Sequence, residues 1–382
     1  STNRFNVLFS GQVGCSSPRV AVTATVTPPP ALTLNATSGT ICEGESTPLI
    51  TITSGASDYD TYAWTPTTGV SGDAASGWTF NPTATTTYTL NASHSVSGCS
   101  TSVVGTVTVN PLPSALVFTP TAPEVCVDGI VGVNVTGGSM PGSVIFDENF
   151  NGVTNTWTTV NSSTGTNAAN AAWTLRNSGY VYSTYGPFVS NDNTQFYLSN
   201  SDSAGSGSVT NTALVSPSFS TVGYESASVS FWHYFKSAGT AKVQYSIDGG
   251  TVWTDIQSFT TTQGAIGAFV LANVTIPSLA LNQADVKLRF KYDATWQYFW
   301  AIDNVVLSGS EFKPVVWSPQ SNLYTDAAAT NPLMAFQNAR TVYFKSNTVG
   351  PVNYTATAIN NPTGCDRDNN FTITVLPNTT LA

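Results

Sequence analysis

Apolar and polar residues alternate with a period of two along most of this chain. Val20-Ala21-Val22-Thr23-Ala24-Thr25-Val26, Gly105-Thr106-Val107-Thr108-Val109 and Phe371-Thr372-Ile373-Thr374-Val375 show it plainly, and such alternation predicts half-buried strands. Thr, Val and Tyr favour strands because branched and flat side chains pack well on a pleated surface. No window carries the 3.6-residue apolar stripe of a long helix, so the 382 residues are expected to be all-β. Only 9% of residues are charged, well below the roughly 25% of an ordinary globular protein. Disorder is nonetheless excluded, because 41% hydrophobic and 11% aromatic residues supply ample core for a net charge of −9. Twelve Lys plus Arg without a basic cluster exclude nucleic acid as a partner. No apolar run approaches the ~18 residues of a membrane span, which excludes membrane insertion by a helix. The chain opens on Ser1-Thr2-Asn3-Arg4, so any export signal is expected to lie outside this sequence.

Three segments echo one another. Gly14-Cys15, Gly98-Cys99 and Gly364-Cys365 each lead into one of the alternating strands above, and each copy closes on a proline, Pro28, Pro111 or Pro377. Each resembles the final hairpin of an immunoglobulin-like β-sandwich. The first copy, residues 1–28, supplies only that hairpin, with strands at Asn6-Val7-Leu8-Phe9 and at 20–26. The second, residues 29–113, is complete: Cys42, then Leu49-Ile50-Thr51-Ile52-Thr53, the central Tyr62-Ala63-Trp64, Trp78-Thr79-Phe80 and Thr87-Tyr88-Thr89-Leu90. Trp64 is expected to be the core tryptophan of this sandwich.

The third copy is split. Cys126 opens Val131-Gly132-Val133-Asn134-Val135-Thr136, but the tryptophan strand follows only at Val315-Val316-Trp317-Ser318-Pro319, an echo of Tyr62-Ala63-Trp64-Thr65-Pro66. Residues 114–143 and 310–377 therefore form one immunoglobulin-like host, and residues 144–309 a guest inserted between two of its strands. Residues 378–382 lead into a following region. Insertion at a loop is tolerated when the guest's ends lie side by side. The immunoglobulin-like resemblance implies disulfides Cys42–Cys99 and Cys126–Cys365, and leaves Cys15 to a partner upstream of Ser1. A Cys42–Cys99 bond would close a loop of about 57 residues, worth ~4 kcal/mol in the chain-entropy picture. Such pairing points to an extracellular compartment.

The guest carries Phe146-Asp147-Glu148-Asn149-Phe150, Leu214-Val215-Ser216-Pro217, Val229-Ser230-Phe231-Trp232, Val243-Gln244-Tyr245-Ser246-Ile247-Asp248-Gly249-Gly250, Val286-Lys287-Leu288-Arg289-Phe290-Lys291-Tyr292 and Trp300-Ala301-Ile302-Asp303-Asn304-Val305-Val306-Leu307. In that order the blocks resemble the jelly-roll module of bacterial cleaved adhesins, a relative of MAM domains and carbohydrate-binding modules. The resemblance implies a structural Ca²⁺ held by Asp147, Glu148 and Asp303 where the first and last guest strands meet, with Asp202 as a further ligand. Calcium takes six to eight oxygens in flexible geometry, which suits such a mixed set. Trp296, Tyr182 and Tyr185 are the candidates for stacking on a sugar ring. Ser246-Ile247-Asp248-Gly249-Gly250-Thr251-Val252-Trp253 is near a sialidase Asp-box, but Asp-Gly between alternating strands is first a hairpin turn.

Catalysis finds no assembled motif. The two histidines, His94 and His233, sit beside no nucleophile pattern, and neither zinc spacing nor a phosphate-binding glycine loop occurs. The whole resembles the giant surface adhesins of Bacteroidetes, including those of gliding motility and type 9 secretion. That resemblance implies a non-enzymatic, extracellular cell-surface segment: immunoglobulin-like stalk repeats displaying a jelly-roll head for extracellular polysaccharide or a similar surface polymer. A carbohydrate-binding accessory region of a secreted polysaccharide-degrading enzyme is the alternative.

Overall fold

The computed structural model describes residues 2–6, 21–25, 28–152, 155–237, 239–296 and 298–378, with the backbone alone for the first two segments. It is all-β, and it divides into two compact units, 1–112 and 113–382.

In the first unit, Thr2–Asn6 pairs antiparallel with Ala21–Thr25. The hairpin thus starts earlier than the alternation at Asn6-Val7-Leu8-Phe9 suggests; Cys15 lies outside the described residues. The sandwich that follows has a four-stranded sheet in the order Ser38–Cys42, Ser100–Asn110, Thr86–Ser93, Thr61–Thr65. Trp64 is buried as expected, edge-on to Trp78 at 5.6 Å, Phe80 at 4.9 Å and Tyr88 at 6.4 Å.

The second unit repeats this plan and interrupts it. One host sheet orders Val117–Thr119, Ile130–Thr136, Thr341–Lys345, Leu323–Tyr324; the other orders Glu124–Cys126, Arg367–Leu376, Gly350–Ala358, Val315–Ser318. Alternation builds the core between them: Trp317, Tyr354, Ala356, Phe371, Ile373 and Val375 on one sheet pack against Phe118, Val133, Val135, Val342 and Phe344 on the other. The two sandwiches match in detail. Tyr88 donates its hydroxyl to Thr68 O at 2.8 Å, and Tyr354 donates to Ser321 O at 2.7 Å, each acceptor lying four residues past its sandwich's tryptophan.

The expected cysteine pairs do not form. Cys99 and Cys126 are free thiols, while Cys42 and Cys365 are each engaged in a disulfide. Strand direction is the cause. The strands Ser38–Cys42 and Glu124–Cys126 run parallel to the last strand of their sandwiches, so Cys42 lies opposite Asn110 and Cys126 opposite Leu376. Cys99 and Cys365 precede the opposite ends of those last strands. Eleven residues at ~3.3 Å each put about 35 Å between the members of each expected pair, whereas a disulfide needs Cα atoms about 4.4–6.8 Å apart.

The guest leaves the host after Ile130–Thr136 and returns into Val315–Ser318. Its first strand, Ser139–Glu148, pairs antiparallel with its last, Phe299–Phe312, from Ser139 opposite Phe312 to Glu148 opposite Val305. The guest's ends are therefore side by side. Between them lie a five-stranded sheet, Thr158–Asn161, Val209–Val215, Lys287–Thr295, Gly239–Ser246, Thr254–Phe259, and a six-stranded one. The latter orders Thr174–Arg176, Phe196–Asn200, Phe299–Phe312, Tyr224–Phe235, Val270–Thr275, with Ser139–Glu148 also on Phe299–Phe312. The two sheets face each other across a core that includes Trp300, Phe231, Phe235, Phe290 and Tyr292.

One host side chain grips both crossings. Arg340 donates to Gly137 O at 2.8 Å and Gly138 O at 3.4 Å on the outgoing strand, and to Lys313 O at 2.7 Å on the returning one. Its guanidinium also lies 4.3 Å from the centre of the Phe312 ring. Gly137 is buried at φ 74°, where a Cβ would come within 2.1 Å of Ala115 O, so only glycine admits this turn. Arg340→Ala would strip donors from half-buried and buried carbonyls and is expected to destabilise the second unit by about 2–4 kcal/mol. Arg340→Lys should recover little, since an ammonium lacks the planar fork. Denaturant unfolding checks both; a loss below about 0.5 kcal/mol for Arg340→Ala would refute the clamp.

Candidate functional site

The six-stranded sheet is covered on both faces. Its inward face meets the five-stranded sheet. Its outward face carries Phe196, Leu198, Tyr234, Phe299 and Ala301, roofed by Phe188 and Phe269 from the connecting loops. Phe299 and Trp300 are consequently both fully buried although they are adjacent, one on each face.

A bulge then changes the parity of the last strand. Trp232 pairs with Asp303 and Ser230 with Val306, so two residues of the last strand oppose one of its neighbour. Asn304 takes the extra place, at φ 48°. Trp300 and Ile302 face inward before the bulge, Val305 and Leu307 after it, which leaves Asp303 on the outward layer.

Asp303 is fully buried there. Its Oδ1 accepts from Asn304 N at 2.8 Å, while Oδ2 is buried with no hydrogen-bond partner. The neighbouring charge is Asp192, in the loop Ser190-Asn191-Asp192-Asn193-Thr194. Asn304 Nδ2 donates to Asp192 Oδ2 at 2.9 Å, and Thr194 N to Asp192 Oδ1 at 3.0 Å. Burial, and then the Asp192 charge, push the Asp303 carboxyl up to about 7. Burial opposes ionisation of Asp192 too, but hydrogen bonds from Thr194, Asn304 and Ser190 outweigh it and hold that carboxyl below the usual range. The result is a two-carboxylate site with an unsatisfied oxygen inside it. A cation placed there would satisfy that oxygen and remove the repulsion, so the donors fit a hard metal ion such as calcium.

The other predicted ligands do not join it, and among the described residues no three His, Cys, Asp or Glu side chains gather as a metal-binding group. Asp147 is exposed opposite Val306. Glu148 lies opposite the inward-facing Val305 and accepts from Phe150 N at 2.8 Å, which caps the turn that follows. Asp202 sits in the 3₁₀ turn Asp202–Ala204, where its N–H donates to Tyr298 O at 3.2 Å. Face parity separates Glu148 from Asp303, and four strand positions separate Tyr298 from Asp303. Asp192 was not singled out by sequence, because a five-residue polar loop is indistinguishable from any other until the fold lays it over the last strand.

Asp202 instead belongs to the aromatic end of the guest. Tyr182 and Tyr185 stack with ring centres 6.2 Å apart and planes 8° from parallel. Tyr185 meets Tyr298 edge-on at 6.3 Å. Lys236 places its ammonium 4.8 Å from the Tyr185 ring centre and 4.2 Å from that of Tyr298. Partial burial, and then the Asp202 carboxylate, raise the hydroxyl pKa of both Tyr182 and Tyr185. Trp296, two residues before Tyr298, is 42% exposed. The structure thus brings together Tyr182, Tyr185 and Asp202 and adds Lys236, which sequence reasoning missed for want of any local pattern.

The remaining motifs have structural roles. Asp248 accepts from Ser246 Oγ at 2.6 Å, Thr251 N at 3.0 Å and Val252 N at 2.9 Å, so the Asp-box-like stretch is a hydrogen-bonded turn. His233 is buried and its Nδ1 accepts from Trp300 Nε1 at 3.2 Å; burial pushes it down to about 4.

No family model matches the chain, and no curated protein matches it. Among solved structures, it is similar to the K1 cleaved adhesin domain of Lys-gingipain from Porphyromonas gingivalis W83, at 16% identity and a TM-score of 0.33 over 42% of this chain and 96% of that one. The K3 cleaved adhesin domain of the same protein is similar at 17% identity and a TM-score of 0.29, over 44% of this chain and 98% of that one. TmCBM61, solved in complex with β-1,4-galactotriose, is similar at 13% identity and a TM-score of 0.27, over 40% and 86%.

Proposed function

We propose that this chain is a non-enzymatic segment of a secreted cell-surface adhesin, in which the immunoglobulin-like sandwiches carry the guest as a binding head for extracellular polysaccharide. The observation that supports it best is the Tyr182, Tyr185, Tyr298 and Lys236 cluster, and Trp296, two residues before Tyr298, adds an exposed aromatic face. Aromatic faces suit the apolar faces of sugar rings, and the polar tips of tyrosine tolerate water. Low charge suits weak contacts summed over many copies. Membership in a gliding-motility or type 9-secreted surface protein belongs to this reading and is supported by the order of the guest's sequence blocks. So does a structural calcium ion, which we place between Asp192 and Asp303 rather than among Asp147, Glu148 and Asp202.

A glycan array probed with the whole chain in calcium buffer tests the function. The double variant Tyr182→Ala/Trp296→Ala should weaken binding of the captured polysaccharide at least tenfold, about 1.4 kcal/mol, with the unfolding midpoint unchanged. An array without any bound glycan would sink the reading. Undiminished binding by the variant would remove the aromatic cluster from it.

A further inference from the structure

The twelve cations of this chain are unevenly spent. Four of them, Lys242, Lys287, Arg289 and Lys291, share the outward face of the guest's five-stranded sheet, since Val243, Leu288, Phe290 and Tyr292 between them face the core. Three follow one another at alternate positions of the central strand Lys287–Thr295, about 6.7 Å apart along it. Lys242 stands directly opposite Lys291 on the neighbouring strand. Like charges directly opposed across a sheet are destabilising, so this arrangement is not the one stability alone would select.

The cations are braced rather than mobile. Lys242 pairs with Asp255 at 2.8 Å, and Lys291 pairs with Asp293 and donates to Asn211 Oδ1 at 2.9 Å. Arg289 Nε donates to Gln244 Oε1 at 2.6 Å while its guanidinium carbon lies over Trp253, 4.3 Å from the ring centre. Asp255 and Asp293 neutralise two of the four charges on these strands, leaving an excess of two. Small apolar side chains, Ala213 and Val215, border the row, and a depression of about 490 Å³ opens at its Asn211, Gly239 and Asp293 end.

We infer that this sheet face binds an acidic polysaccharide, with Lys287 and Arg289, the two cations not paired with an aspartate, meeting the anionic groups of successive sugars. A guanidinium held in place by a ring and an amide presents its fork to a carboxylate or sulfate, and a lysine serves as a point charge. The inference rests on the reading of the guest as a polysaccharide-binding head and names the ligand class; it adds a second surface, distinct from the tyrosine cluster. Net charge does not oppose it, because charges beyond roughly 8 Å are screened at physiological salt.

The test compares the whole chain, in chelator, on polygalacturonate and on the same polymer fully methyl-esterified. Polygalacturonate should bind at least tenfold more tightly, and the advantage should shrink in 0.5 M NaCl. Lys287→Gln/Arg289→Gln keeps most of the side-chain stems and should abolish the preference, while leaving binding at the tyrosine cluster intact. Heparin binding in place of polygalacturonate would keep the surface and assign its anion as sulfate. Equal affinity for both pectins and no heparin binding, an unaffected double variant, or tighter binding of single-stranded DNA would overturn the inference. If neutral glycans bind and no acidic one does, this inference falls and the proposed function stands; if no polysaccharide binds, both fall.

Discussion

Asp303→Asn will make the calcium-free protein more stable at pH 8, by up to ~4 kcal/mol, and will abolish any stabilisation by calcium. The first half follows from linkage. Asp303 titrates near 7 in the folded chain and near ~3.9 unfolded. Between those values the folded state binds more protons than the unfolded one, so stability falls as pH rises through this window, and the whole penalty is present above pH 7. About three pKa units at 1.36 kcal/mol each set the upper figure. Asparagine removes the charge, keeps the shape and offers Asp192 a donor. The second half follows from the pair: a divalent cation gains both carboxylates in the wild type and only one in the variant. Thermal unfolding with calcium and with chelator reads both effects. A variant that is less stable in chelator, or one that still responds to calcium as the wild type does, would sink the site.

His233 gives this experiment an internal control. Its folded value near 4 lies below the unfolded ~6.5, so between those values the unfolded state binds the extra proton and stability rises with pH. The two groups therefore oppose each other from about pH 4 to 6.5 and nearly cancel. The wild type should be almost flat across that interval, and Asp303→Asn should expose the rising slope of His233.

Trp317→Ala is expected to destabilise the host by about 3–5 kcal/mol and leave the guest standing. Trp317 is fully buried, donates Nε1–H to Ala339 O at 2.9 Å and contacts Phe118, Tyr354 and Phe371. Removing a buried indole forfeits transfer energy and opens a cavity. Among the described residues, the buried host core comes from 116–135 and 315–375 and the buried guest core from 150–307. Peptide-resolved hydrogen exchange on the whole chain should show protection lost in host strands at denaturant concentrations where the guest strands keep theirs. Loss of protection in both at once would mean that the guest depends on its host.

The strand pattern and the repeated tryptophan string were legible because their signals are local. Trp64 and Trp317 sit in matching strings, and the alternating strands announce themselves by period. The cysteine partners were not, because spacing alone does not reveal that the strands ending at Cys42 and Cys126 run parallel to the last strands of their sandwiches. Nor was the bulge at Asn304, which sends Asp303 to the outward layer and away from Glu148. Asp192 and Lys236 entered through loop placement and strand pairing over more than 60 residues of chain, which leaves no trace in local pattern.

The parallel pairing of Glu124–Cys126 with Arg367–Leu376 also decides what happens under tension. If the host is pulled from its two ends, these strands slide past each other, and their ladder hydrogen bonds bear the load together rather than opening one at a time. The guest hangs between Ile130–Thr136 of one host sheet and Val315–Ser318 of the other, clasped by Arg340. Neither strand belongs to the parallel pair, so force can pass from one end of the host to the other without crossing the guest. A head mounted this way keeps its shape, and its grip, until the mount itself gives way.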